Sequence, residues 1–371
     1  MRKEPTILFA GGGTGGHLYP GISVALAVKQ RWPDARCVFL CTQREIDRII
    51  LAPTGFEFIP QPIVPPIRTI PGLLKFWKGW RETKDLVKKV LREHQPAAAI
   101  GLGGYAAGVA IKIAAIKKIP TAILNPDVIP GTANQYLMKY ASAVCCGFEE
   151  TRARVSGDKA AKLRMTGCPI RPEIRNLPDR ADAANRLGLA PKLLTLVITG
   201  ASQGAQTVNE AILAVLPELR LQGWQILHLA GRDHAASVTQ AYRERGMSAA
   251  VIDFTPDMAD VFAAADLVVA RSGASTCAEL TACGVASILM PYPFHKDMHQ
   301  RANAKVLADA GAAVIVDDER DAKKNAATLR PILEPLLYDA TRRQSMAQAA
   351  RSIGKPDAAE RVADVIGQIA S

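Results

Sequence analysis

No stretch of the 371-residue sequence stays apolar for the roughly 18 residues that a transmembrane helix needs, so no membrane-spanning segment is expected. The opening residues, Met1-Arg2-Lys3-Glu4-Pro5, run at once into an apolar strand pattern and leave no room for the core of a signal peptide, which points to the cytoplasm. The seven cysteines, at 37, 41, 145, 146, 168, 277 and 283, contain no Cys-x-x-Cys pair and no Cys/His cluster at zinc spacing. They read as reduced core thiols, and no metal site is expected. Aromatic residues make up only 5%, too few for obvious base-stacking platforms, and no nucleic-acid-binding module is legible, which sets nucleic acid aside as a partner. Acidic residues are short as well, 35 against 46 Lys and Arg. The resulting charge of +11 implies attraction to something anionic, such as phospholipid headgroups or phosphorylated substrates.

What is present is a chain 49% apolar and long enough for two cores, so two domains are expected. Its organising stretch lies near the start, Phe9-Ala10-Gly11-Gly12-Gly13-Thr14-Gly15-Gly16-His17-Leu18-Tyr19-Pro20. An apolar run precedes it and a helical pattern follows, so the glycines sit where a buried strand turns into a helix. Such a turn suits phosphate, because glycine lets a ligand approach the backbone and the helix N-terminus offers unpaired N–H groups. Gly11-x-Gly13-x-x-Gly16 also fits the dinucleotide fingerprint, but that fold wants an acidic residue at the end of the second strand. Here the strand 37–41 runs into Thr42-Gln43-Arg44, with Glu45 arriving late. A sugar-nucleotide or lipid-phosphate role is therefore favoured over NAD, and no cofactor is expected.

Strands alternating with helical stretches argue a parallel, doubly wound α/β sheet in the first half, with strands at 7–10, 37–41, 56–59, 97–102, 121–124 and 142–146. Between the third and fourth, eight basic residues from Arg68 to Arg92 meet two acidic ones, with Leu73, Leu74, Phe76, Trp77 and Trp80 interleaved. That mixture suits an anionic membrane surface, although the same stripe can pack against its own domain. A second glycine cluster, Gly101-Leu102-Gly103-Gly104-Tyr105, and the loop Asn125-Pro126-Asp127 follow later strands and share the sheet edge where open α/β folds bind ligands. Two prolines and a glycine between Met165 and Glu173 mark the boundary, giving domains at 1–166 and 167–350 and a closing segment at 351–371.

The second half reads as another doubly wound unit, with strands at 193–199, 224–230, 250–254, 266–270 and 287–290. Its turns carry Gly200-Ala201-Ser202-Gln203-Gly204, then Arg271-Ser272-Gly273-Ala274-Ser275-Thr276-Cys277-Ala278-Glu279, then Asp297-Met298-His299-Gln300. Small residues leave N–H groups accessible, Ser202 and Gln203 suit a diphosphate or ribose, and Glu279 suits the two ribose hydroxyls. Glu279 also fits a carboxylate answering the helix dipole, and His295 a surface loop.

Taken together, Gly12-Gly13-Thr14-Gly15-Gly16-His17-x-x-Pro20, Gly103-Gly104-Tyr105, Gly200-x-Ser202-Gln203-Gly204-Ala205, Arg271-Ser272-Gly273-Ala274 with Glu279, and Asp297-x-His299-Gln300-x-x-Asn303-Ala304 resemble the MurG family over nearly the whole chain. The resemblance implies a GT-B fold, two Rossmann-like domains facing a cleft, with a C-terminal helix near 357–369 returning to the first domain. It implies transfer of N-acetylglucosamine from UDP-N-acetylglucosamine to undecaprenyl-diphosphate-linked N-acetylmuramoyl-peptide, on the cytoplasmic face of the membrane. By position, Ser202 and Gln203 fall near the nucleotide, Thr255 near the uracil, and Ala274, Ser275, Thr276, Cys277, Ala278 and Glu279 around phosphate and ribose. Arg171 approaches the donor, His299 and Gln300 contact the sugar, and Thr14, Gly15 and Gly16 approach from the opposite wall. Where the family carries His-Glu-Gln-Asn, this chain has Leu124-Asn125-Pro126-Asp127, and the usual Arg after Gly204-Ala205 is Gln206.

The implied chemistry is a single inverting displacement by an acceptor hydroxyl, which needs a general base and a stabilised leaving diphosphate. His17 is the candidate base, or the group that steadies an acceptor phosphate, and Asp127 the second candidate. No Asp-x-Asp tripeptide occurs, in keeping with neutralisation of the diphosphate by helix N-termini and Arg171. The rivals are a transferase for another lipid or sugar acceptor, a UDP-sugar epimerase, and a sugar-nucleotide-binding protein that has lost catalysis.

Overall fold

A computed structural model of the chain describes residues 5–67, 69–200 and 204–371. It divides into two compact units, Met1–Arg171 with Pro356–Ser371, and Pro172–Lys355. The strands of the first are β1 (Thr6–Ala10), β2 (Arg36–Thr42), β3 (Glu57–Gln61), β4 (Ala98–Gly101), β5 (Thr121–Asn125), β6 (Ala143–Cys146) and β7 (Leu163–Met165). Its helices are α1 (Gly15–Arg31), α2 (Glu45–Leu51), α3 (Ile70–His94), α4 (Gly104–Ile116) and α5 (Thr132–Leu137). In the second unit α6 (Pro172–Arg175) and α7 (Arg180–Arg186) lead into β8 (Leu194–Thr199), α8 (Gln206–Val215), β9 (Trp224–Leu229), α9 (Ala235–Glu244), β10 (Ala250–Ile252), α10 (Met258–Ala264), β11 (Leu267–Ala270) and α11 (Ala274–Cys283). There follow β12 (Ser287–Leu289), α12 (His299–Asp309), β13 (Ala313–Ile315), α13 (Ala322–Tyr338) and α14 (Ala340–Ile353), and the chain closes with α15 (Ala358–Ala370) in the first unit.

Among the described residues the first sheet runs β3-β2-β1-β4-β5-β6-β7 and the second β10-β9-β8-β11-β12-β13, every pairing parallel. Both faces of each sheet are covered by helices, which is why the strands are apolar throughout rather than alternating. In β1, Ile7 and Phe9 enter one core with Val362, Ala363 and Ile366 of α15, whereas Leu8 and Ala10 enter another with α3 and α4. Strand order reverses between β1 and β4 and again between β8 and β11, and the crevice past the strand ends at such a reversal is where doubly wound sheets bind ligands. The glycine clusters of the sequence stand at these two positions, after β1 and β4 and after β8 and β11.

Two edge strands escape the sequence pattern, β7 and β13. Each is three residues long, too short for periodicity to rise above its surroundings. The basic, aromatic segment packs against its own domain with only part of its apolar stripe. Phe76 and Trp80 of α3 pack against the core of the first unit, while Ile70, Leu73, Leu74 and Trp77 stay exposed. Among the described residues no helix is long and apolar enough to cross a membrane.

Candidate functional site

In the first unit the turn after β1 is held from below. Gly13 adopts φ 85°, a conformation that favours glycine, and a Cβ on Gly12 would meet the Asp47 carboxylate at 2.2 Å. Asp47, fully buried on α2, accepts hydrogen bonds from the Gly13 N–H at 2.7 and 3.0 Å, the Thr42 N–H at 2.7 Å and the Thr42 hydroxyl at 2.8 Å. Arg44 Nη1 donates to the Gly13 carbonyl at 2.6 Å. The acidic residue sought at the end of the second strand thus exists, two positions past Glu45, but its oxygens are engaged by the loop rather than offered to a ribose.

Above the turn sits His17, in the first turn of α1. Its Nδ1 lies 3.2 Å from the Gly12 carbonyl and 3.3 Å from the hydroxyl of Thr14, the residue that caps α1. A carbonyl can only accept, so the first contact puts the proton on Nδ1 and leaves Nε2 as the acceptor. Burial lowers the pKa of the ring, and the hydrogen bond to Gly12 and the charges of Asp127 and Asp47 oppose that without reversing it. The ring is therefore neutral near pH 7. It lies along the β4–α4 turn, where a Cβ on Gly103 would stand 3.2 Å from Nε2 and one on Gly104 3.0 Å from Cε1, both at positive φ. Any side chain there would crowd the basic nitrogen.

The other expected groups of this unit gather at the same sheet edge. Gly15 is buried and Gly16 exposed. Asp127 is half-buried on the loop after β5, which Asn125 stiffens by donating to the Asp127 carbonyl at 2.8 Å. Asn134 of α5 in turn donates to the Leu124 carbonyl and to Asn125 Oδ1, at 2.8 and 3.1 Å. Arg171, the last residue of this unit before the chain passes to α6, stacks its guanidinium 4.3 Å from the ring centroid of Tyr19 on α1.

In the second unit Ser202 and Gln203 lie outside the described residues. Gly204 has φ 73°, and a Cβ there would strike the Ala230 carbonyl at 2.1 Å. Helix α11 begins at Ala274 without a side-chain cap and without an acidic residue in its first turn. Ser275, Thr276 and Ala278 are half-buried, whereas Cys277 and Ala274 are buried. Glu279 is 5% exposed and sits beyond the first turn, where the helix dipole has faded, so an answer to that dipole does not account for it. Thr255, in the loop between β10 and α10, accepts the Asp257 N–H on its hydroxyl at 3.0 Å.

Arg271, which opens the α11 turn, is engaged internally. It reaches Asp318 at 2.8 Å, donates to the Thr207 hydroxyl at 2.6 Å and to the Met290 and Pro291 carbonyls at 2.9 and 3.1 Å. Burial works against the Asp318 carboxylate, but hydrogen bonds from Thr207, Asn325, the Arg320 N–H and Arg271 outweigh it and hold its pKa below the usual carboxylate range. Asp318 was not among the sequence candidates, because nothing local ties it to a turn 47 positions earlier.

His299 opens α12, with Nδ1 2.8 Å from Asp297 Oδ1. His295 Nδ1 stands 3.2 Å from His299 Nε2, so His295 is exposed yet belongs to this cluster. Gln300 accepts the Tyr292 N–H on its side chain at 3.0 Å and the Ser272 hydroxyl on its carbonyl at 2.9 Å, which ties the α12 start to the α11 turn. All seven cysteines are buried free thiols, and burial pushes Cys37, Cys41 and Cys146 up to about 12.

Residues 7–146 match the glycosyltransferase family 28 N-terminal domain and residues 195–362 the glycosyltransferase family 28 C-terminal domain. The chain is 34% identical over 376 residues to the UDP-N-acetylglucosamine--N-acetylmuramyl-(pentapeptide) pyrophosphoryl-undecaprenol N-acetylglucosamine transferase of Desulforudis audaxviator, covering 98% of each chain. To the enzyme of the same name from Syntrophotalea carbinolica it is 35% identical over 370 residues, covering 96% of each. The crystal structure of Acinetobacter baumannii MurG superposes with a TM-score of 0.74 at 26% identity, over 98% of this chain and 99% of that one. A UDP complex of S. aureus MnaA shares the fold alone, at TM-score 0.69 and 10% identity over 97% of this chain and 94% of that one.

Proposed function

This chain belongs to the MurG family of glycosyltransferases, and from that premise we propose that it transfers N-acetylglucosamine from UDP-N-acetylglucosamine to an N-acetylmuramoyl-peptide carried on undecaprenyl diphosphate. The observation that carries the proposed mechanism is the state of His17, a ring kept neutral with Nδ1 on the Gly12 carbonyl and Nε2 left to accept. The acceptor hydroxyl gives its proton to Nε2 as its oxygen attacks the anomeric carbon. The bond from that carbon to the diphosphate oxygen breaks, UDP leaves with the electron pair, and the configuration inverts. The charge of Asp127, which favours the protonated ring, stabilises the imidazolium as it forms, and Asp127 is the second candidate for the base.

The second unit holds the donor. Thr255 faces the uracil, the start of α11 from Ala274 to Thr276 meets the diphosphate, and Glu279 accepts from the ribose hydroxyls. Ser202 and Gln203 complete the nucleotide contacts, while His299, oriented by Asp297, and Gln300, oriented by Tyr292, hold the sugar. Fixed backbone dipoles at α8 and α11, together with Arg171, take up the charge on the departing UDP. Thr14, Gly15 and Gly16 approach the donor sugar or the acceptor diphosphate, the two glycines offering backbone with no side chain in the way.

The exposed Ile70, Leu73, Leu74 and Trp77 of α3, among Lys75, Lys78 and Arg81, dock the protein on the anionic cytoplasmic face of the membrane where a lipid-linked acceptor resides. Incubation with UDP-N-acetylglucosamine and the lipid-linked muramoyl-peptide yields the lipid-linked disaccharide if the reading holds. A different lipid acceptor converted in its place would locate the change in the Asn125-Pro126-Asp127 loop. UDP binding with no product from any acceptor would overturn the transferase reading.

A further inference from the structure

We infer that Asp47 is the positioning residue of the proposed base, fixing the tautomer and placement of His17 through the glycine turn. The inference rests on the reading of His17 as base and goes beyond it, since Asp47 touches neither substrate nor His17 directly. Three polar hydrogens make four contacts with its two oxygens: the Gly13 N–H bridges both, and the Thr42 N–H and hydroxyl converge on Oδ2. A buried carboxylate with that set of donors is acceptor-only, and no neutral side chain of the same shape reproduces it. Asparagine would turn an N–H2 toward N–H donors.

What these bonds immobilise is the peptide between Gly12 and Gly13. Its N–H end is on Asp47, so its C=O end, the Gly12 carbonyl, is aimed the opposite way, at His17 Nδ1. A peptide is planar and rigid, so fixing one end fixes the other. Arg44, on the Gly13 carbonyl at 2.6 Å, holds the next peptide in the same sense. The absent Cβ of Gly12 is the space in which the carboxylate sits, at a 2.2 Å separation that no side chain allows. The negative charge beneath the loop also favours the protonated ring, which is the state the reaction produces. Carboxylate, rigid peptide and imidazole thus form a relay of orientation, in which protons move only at Nε2.

The test has a spectroscopic arm and a kinetic one. With 15N-labelled histidine in the wild type, the His17 resonances are expected to show an Nδ1–H, Nε2-bare ring at neutral pH, and an Nε2–H ring overturns the inference whatever any variant does. Asp47→Asn is expected to mix the two tautomers and to lower kcat by one to two orders of magnitude. KM for UDP-N-acetylglucosamine should stay unchanged and the acidic limb of the pH profile should move, with Asp47→Glu recovering part of the rate. In a His17→Ala background the Asp47→Asn change should cost nothing further, because the two act as one unit. An undiminished penalty in that background, or wild-type kcat and pH profile in Asp47→Asn, refutes the positioning role. Near-normal turnover of His17→Ala by itself refutes instead the base assignment on which the inference rests, so the two failures are separable.

Discussion

Beneath the glycine turn of the first unit lies a carboxylate, Asp47, and the titratable ring above it keeps an Nε2 that takes no hydrogen bond among the described residues. In the second unit the turn after β11, on the other side of the strand-order reversal, carries Arg271, and its guanidinium is engaged by Asp318, Thr207 and two carbonyls while α11 begins with small residues and no cap. One turn secures its backbone with charge so that a side chain is left to do chemistry. The other secures its charged side chain so that the backbone is left to bind. Under the proposed function, the same strand–turn–helix arrangement serves proton transfer on one sheet and diphosphate binding on the other.

The largest effect that would break this comparison belongs to His17. His17→Ala should lower turnover by about 10²- to 10⁴-fold while calorimetry finds UDP affinity unchanged, and lost UDP affinity would place the ring on the binding side instead. The wild-type profile sharpens it. A ring whose pKa is lowered stays neutral until the pH falls below its ordinary 6.5, so kcat/KM should hold at pH 6.5 and decline tenfold per unit only at lower pH. Asp318→Ala strands a buried guanidinium and should destabilise the second unit by about 3–5 kcal/mol in urea melts, whereas weakened UDP binding at undiminished stability would make Arg271 a ligand contact. Glu279→Gln should weaken donor binding about tenfold with little change in kcat, measured by UDP-N-acetylglucosamine titration. Smallest of all, Trp77→Ser should reduce flotation with anionic vesicles severalfold and leave turnover on a detergent-solubilised acceptor unaltered.

Much of the fold was legible because parallel strands covered on both faces are uniform apolar runs, and punctuation by glycine marks where each ends. The turns at Gly11–Gly13, Gly103–Gly104, Gly200 and Arg271 were legible for the same reason. Asp47 was not, since it enters from a helix that begins only after the strand has ended, and spacing rules for ribose-binding acids look at the strand end. Nor was the Arg271–Asp318 pair, whose partners meet only through the packing of β11, α8 and the segment after β13. The α3 stripe shows a different limit. Helical spacing marks Phe76, Trp77 and Trp80 alike as apolar, and only the tertiary arrangement separates the two that face the core from the one that faces outward.

The closing helix α15 has a consequence for how the molecule is made. Val362, Ala363 and Ile366 complete the core that Ile7 and Phe9 begin, Gly367 lies so close to Trp32 that a Cβ would come within 2.6 Å of its ring, and Arg31 pairs with Asp364 at 2.6 Å. The second unit, Pro172–Lys355, is thus an unbroken insert within the first. A ribosome releases every residue of that insert before it supplies the last sixteen that its predecessor needs, Pro356–Ser371. The unit that starts first is therefore completed only after the insert has been made, and the part of its sheet face that α15 shares with α1 waits uncovered until then.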